Sequence, residues 1–111
     1  NMKPLPAMKE RKRYVVVKVI SKTKITKLVL IKSLKEAFQS FFGLMSLSKA
    51  SIMILGERFN EENQTIMIKV GHKYVDELIS SLILIKKIGK INVSIKSLTC
   101  SGTIKKAAVH L

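Results

Sequence analysis

Between residues 13 and 98 the apolar positions change period twice in the same order, and this alternation leaves few folds open. Arg13 to Ile20 (RYVVVKVI) is dense in β-branched residues and predicts a buried strand. Thr26 then offers an N-cap for a helix with Leu30, Ile31, Leu34, Phe38, Phe41 and Phe42 on one face and Lys32, Lys35, Glu36 and Gln39 on the other. Gly43 is a suitable stop. Strands are predicted over Ala50–Glu57 and Gln64–Val70, joined by the polar turn Asn60-Glu61-Glu62-Asn63. A second helix is predicted from His72 to Ile88, with Val75, Leu78, Ile79, Leu82 and Ile85 as its buried stripe. Asp76 and Glu77 at its start and Lys86 and Lys87 at its end suit the helix dipole, and Gly89 closes it. Lys90 to Leu98 alternates again, with Ile91, Val93 and Ile95 on one side.

Two strand–helix–strand units in succession predict an α+β, ferredoxin-like (RRM-like) βαββαβ domain. Right-handed crossovers then place both helices on one face of a four-stranded antiparallel sheet, with the first and third strands central. The domain is expected over residues 13–98. Residues 1–12 read as a basic N-terminal arm, because Pro4 and Pro6 disfavour a regular element there. Residues 99–111 read as a basic tail with room for a short C-terminal helix.

The charge demands a reason. The chain has 21 Lys and Arg against 7 Asp and Glu, a net +14 on 111 residues, yet 47% of it is hydrophobic. It is therefore a folding domain rather than a disordered basic tail, and its self-repulsion points to a polyanionic partner whose counterions are released on binding. Residues 1–35 hold eleven of the cations and a single acid, Glu10. No apolar run approaches the length needed to span a bilayer, so no membrane role is expected. One cysteine, Cys100, allows neither an internal disulfide nor a zinc cluster. A reducing, cytoplasmic location is expected.

With both helices on one side, the other sheet face must meet water or a partner. Val15, Val17 and Val19 are expected to face the helices, as are Ile66 and Ile68, leaving Tyr14, Val16, Lys18, Met67, Lys69 and Lys96 pointing outward. RNA-recognition motifs stack bases on aromatics of this face. Only Tyr14 is available for that here, so these six residues are expected to form a surface for a protein partner or a further helix. RNA contact is then expected from the arm, loops and tail: Lys3, Lys9, Arg11, Lys12, Arg13, Lys22, Lys24, Ser101, Gly102, Thr103, Lys105 and Lys106, directed at phosphates.

Candidates for chemistry are few. Glu57, Glu61 and Glu62 form the only acidic cluster; a soluble turn explains them as well as a magnesium site does. His72 and His110 have no ligands at metal-binding spacing and read as surface residues. Cys100 has basic neighbours able to lower its pKa, but without a resolving cysteine or clear base it reads as a small packing residue. Ser101-Gly102-Thr103 before Lys105 and Lys106 reads either as a phosphate-binding turn or as a helix cap with a solvated lysine pair. No catalytic residue and no protein-held cofactor or metal is assigned.

Two segments carry a resemblance. Lys3-Pro4-Leu5-Pro6 followed by Glu10-Arg11-Lys12-Arg13-Tyr14, and the closing Ser101-Gly102-Thr103-Ile104-Lys105-Lys106-Ala107, resemble the two ends of the archaeal ribonuclease P protein component 2 family, shared with eukaryotic ribonuclease P and MRP. The resemblance implies a subunit of the ribonucleoprotein that removes 5′ leaders from precursor tRNA. It implies ribonuclease P RNA and precursor tRNA as partners, with magnesium on the catalytic RNA, and a TIM-barrel-like protein subunit joined as a heterotetramer. Read from the residues alone, two other classes stay open: a stand-alone RNA- or DNA-binding module, and a small regulatory ligand-binding domain.

Overall fold

A computed structural model describes residues 11–111. Along the chain run β1 (Lys12–Ser21), α1 (Lys27–Ala50), β2 (Met53–Asn60), β3 (Thr65–Gly71), a single 3-10 turn (His72–Tyr74), α2 (Val75–Ile83), β4 (Lys87–Ile88), β5 (Ile91–Ser101) and α3 (Ile104–Ala108). All pairs are antiparallel, in the order β2-β3-β1-β5-β4. The sheet therefore has five strands, not the expected four, with β1 at its centre and β3 beside it.

The fifth strand comes from the end of the second expected helix. α2 stops at Ile83, and the chain turns back so that the Lys86 carbonyl accepts from Val93 N–H at 2.9 Å. Lys87 and Ile88 then pair with Asn92 and Ile91. Gly89 adopts φ +62, which glycine takes without steric cost. It makes a hairpin turn rather than closing a helix. Ile88 gains a fully buried place in the core, and the lysines expected at a helix end flank the turn instead.

Gly43 does interrupt α1, at φ 73 and ψ 170, but helix resumes beyond it. The added turns carry Leu47 onto the main core and bury Ala50. Ser51, in the left-handed region, ends them and donates its N–H to Ser48 O at 3.2 Å. This extension displaces the start of β2 to Met53. Thr26 does occupy the N-cap position, although its side chain makes no capping bond.

The inward and outward assignment holds on both central strands. Val15, Val17, Val19, Ile66 and Ile68 join Leu30, Leu34, Phe38, Leu78 and Leu82 in one core beneath α1 and α2. Phe41 departs from the expected stripe: it is exposed and meets Phe42 edge to face at 5.2 Å. Across the sheet, Val16, Leu55 and Met67 are buried beneath α3 through Ala107, with Tyr14, Ile104, Ala108 and Leu111 around them.

A bulge makes that second layer possible. Val17 pairs with Ser97 and Val16 with Thr99, so Leu98 is an extra residue on β5. The strand runs on past Leu98 to place Ser101 opposite Tyr14, and α3 folds back over Val16. Residues 99–111 are thus part of the fold rather than a tail.

Gln64 pins the turn between β2 and β3 to the chain between β1 and α1. Its Oε1 accepts from Ile25 N–H at 2.7 Å, while Nε2 donates to Ile25 O at 3.1 Å and to Glu61 O at 2.9 Å. Gln64 sits at φ 55, a strained conformation for a non-glycine residue, and these bonds offset the strain. In Gln64→Ala the backbone N–H and C=O of Ile25 lose their partners. At about 1–3 kcal/mol per buried orphan, the expected destabilisation is about 2–6 kcal/mol by urea denaturation. Gln64→Gly should cost less, because it relieves the backbone.

Candidate nucleic-acid interface

β1 begins at the end of the sheet where β3 and β5 finish, so three distant stretches of sequence meet there. Lys12 pairs with Gly71 and Tyr14 with Ser101. The Arg11 carbonyl accepts from His72 N–H at 2.8 Å and lies 3.3 Å from His72 Nδ1. Arg13 donates from Nη1 to Lys12 O at 3.1 Å, and the same nitrogen lies 3.7 Å from where a Cβ on Gly102 would stand. The basic segment entering β1 and the Ser101-Gly102-Thr103 turn leaving β5 are therefore adjacent.

The turn is built as a cap. Thr103 Oγ1 accepts from Lys106 N–H at 3.2 Å, starting α3, and Thr103 N–H donates to Ser101 Oγ at 3.4 Å. Gly102 has no left-handed backbone. Lys105 and Lys106 are exposed beside it.

Arg13 is thus brought beside the turn that leads to Lys105 and Lys106, and Arg11 and Lys12 lie at the same end of the sheet. Lys22 and Lys24 do not: β1 separates them from Arg13 by about 30 Å at ~3.3 Å per residue. Lys3, Lys9 and the rest of the arm at 1–10 lie outside the described residues. The sequence reading missed Lys73, exposed at the basic end, and His72, half-buried there. The signal was available in principle, since antiparallel pairing of β1 and β3 must set the residues after β3 beside those before β1.

The expected partner surface changes most. Val16 and Met67 are each 0% exposed beneath α3 and offer nothing to another molecule. The chain's own last helix satisfies the apolar centre of that face. Tyr14 and Lys69 are half-buried next to it; Lys18 is half-buried and Lys96 exposed farther along.

Cys100 is exposed on β5, not a packing residue. Its thiol pKa is raised, not lowered: desolvation is the larger cause, Arg13 opposes it and Asp76 adds to it. Glu57, Glu61 and Glu62 line a shallow concavity with Leu111, and among the described residues no three His, Cys, Asp or Glu side chains are grouped to hold a metal ion. No helix among the described residues is long and apolar enough to cross a membrane.

The model of the Rpp14/Pop5 family matches residues 13–111. The chain belongs to the Rpp14/Pop5 family. Its Rpp14/Pop5 relatives include ribonuclease P protein component 2 of Thermococcus gammatolerans and of Pyrococcus furiosus. Each is 32% identical over 101 residues, covering 91% of this chain and 82% of the relative. The protein of the same name from Methanosarcina barkeri is 30% identical over 103 residues, covering 93% of this chain and 73% of the relative. A chain in a cryo-EM structure of yeast ribonuclease MRP shares the fold, with a TM-score of 0.64 at 13% identity over 85% of this chain and 76% of that one. In Rpp14/Pop5 terms, the matched region starts at Arg13 in β1 and includes α3, so Arg13, Lys105 and Lys106 belong to the shared domain, while Arg11 and Lys12 precede the match.

Proposed function

We propose that this Rpp14/Pop5 chain is an RNA-binding protein subunit of ribonuclease P, supporting RNA-catalysed removal of 5′ leaders from precursor tRNA. The observation that carries this reading is the meeting of two basic segments, Arg11–Arg13 and Lys105–Lys106, at one end of the sheet. Their cations are held by regular strands and a capped helix, so little ordering is needed to present them to phosphates. The mechanism is electrostatic. Cationic side chains offset repulsion between backbone segments of a folded RNA, favour its active conformation and lower the free magnesium it requires. The magnesium belongs to the RNA, and the protein contributes position and charge.

The protein partner in this reading is a TIM-barrel-like subunit, joined as a heterotetramer. We assign it to the helical side, where exposed Phe41 and Leu84 line one groove and Ile83 is exposed nearby.

Cleavage of precursor tRNA by the catalytic RNA, measured across a magnesium titration with and without this protein and its protein partner, tests the proposal. The protein is expected to shift the requirement to lower magnesium and to cleave nothing without the RNA. Specific 5′ maturation by the protein alone, abolished by Glu61→Gln with Glu62→Gln, would overturn it.

A further inference from the structure

At the far end of β1, Lys18, Lys22 and Lys24 line one concavity together with Glu62, the only carboxylate lining it among the described residues. The loop that carries Lys22 and Lys24 is fixed rather than slack. Ser21 Oγ donates to Thr23 O, and Gln64 grips Ile25 at both its N–H and its carbonyl. Lys18 is also directly opposed across the strands by Lys96, a like-charge pairing that is unfavourable by itself. Its partner on the other side is Thr65, so the register supplies no carboxylate to neutralise the pair. Cations gathered in a concavity, two of them on a loop whose backbone is held, and set against a like-charged neighbour form a surface whose repulsion an anion would relieve. Because Val17 and Val19 face the helical core, Lys18 lies on the opposite side of the sheet.

We propose that Lys18, Lys22, Lys24 and Lys96 form a second phosphate-binding site for the RNA backbone, separate from the basic end at Arg11–Arg13. This rests on the RNA-binding reading above and deepens it. Along β1 the second site starts about 17 Å from Arg13 at Lys18 and reaches about 30 Å at Lys22, at ~3.3 Å per residue, so the two sites together select a folded RNA that presents backbone at both places. They also reassign Lys18 and Lys96 from a protein surface to an RNA surface.

The test is filter binding of a precursor tRNA transcript and of a ribonuclease P RNA transcript across a salt series. The protein carries Lys18→Gln, Lys22→Gln, Lys24→Gln and Lys96→Gln together. Each lysine–phosphate pairing removed should flatten the slope of log affinity against log salt by about 0.7–0.9. A decrease of about 1.4 or more is expected, from at least two such pairings. The Tm without RNA should be unchanged or higher, because the opposed lysines no longer repel. Should the fourfold variant fail to fold, Lys22→Gln, Lys24→Gln and Lys96→Gln carry the same test on exposed positions. Wild-type slope and affinity in the folded variant would overturn the proposal, as would loss of binding to the purified TIM-barrel-like subunit with RNA binding intact. These results differ from failure of the RNA-binding reading itself, in which the unaltered protein binds neither transcript.

Discussion

Replacing Arg11, Lys73, Lys105 and Lys106 with Gln should weaken RNA binding by about two to three orders of magnitude at 0.1 M salt. All four are exposed, and they sit at the end of the sheet where β1 starts and β3 and β5 finish. Each cation that neutralises a phosphate contributes about 0.7–0.9 to the salt slope, so removing four of them should flatten it by about 3. The same relation gives the weakening of affinity, since each neutralised phosphate carries a comparable fraction of a log unit per tenfold change in salt. The fold should survive, as exposed substitutions away from caps and core packing usually stay within about 0.5 kcal/mol. Particles assembled with this variant should regain cleavage at raised magnesium, because divalent ions replace the missing charge. A folded variant with wild-type affinity and slope would show that this end of the sheet does not meet RNA.

Val16→Asp combined with Met67→Asp should leave the chain unfolded at 25 °C. The sequence alone suggests these positions for a partner surface or a further helix, and on a partner surface the same change would cost only association. With both side chains fully buried under α3, each substitution forfeits about 1.5–3 kcal/mol of apolar burial. Each also forces a carboxylate into a site without a counter-charge, adding several kcal/mol. The sum approaches the 5–15 kcal/mol total stability typical of a domain. Met67→Leu, which keeps volume and polarity, should cost less than about 1.5 kcal/mol. Circular dichroism and thermal melts read both variants. A cooperative wild-type melt in the double variant would mean that α3 does not cover this face.

The contrast between these two experiments marks how far the sequence reaches. The alternation of periods was enough to place β1, α1, β2, β3, α2 and β5 in order. Periodicity records which side chains must leave water together, so it also sorted Val15, Val17, Val19, Ile66 and Ile68 from Val16 and Met67. The two basic segments, and Tyr14 as the single aromatic for stacking on the central strands, were equally legible, because charge and residue type do not depend on the fold.

Other features hinged on packing between residues far apart in the chain. Leu84-Ile85-Lys86-Lys87-Ile88 continues a helical pattern locally, yet Ile88 gains more by burial in a hairpin strand against α1 than by one more helical turn. Gly43 stops a helix locally, but Leu47 and Ala50 have core positions to fill beyond it. The bulge at Leu98 is invisible to a period-two pattern, and only through it does β5 run on to set Ser101 beside Tyr14 and lay α3 over Val16. Apolar period determined that this protein is an α+β domain, and composition that it is a basic one with charge to spare for a polyanion. Which basic segments meet at one end of the sheet, and that the chain covers the apolar centre of its own open sheet face, was decided by strand register and by the apolar area that α3 removes from water.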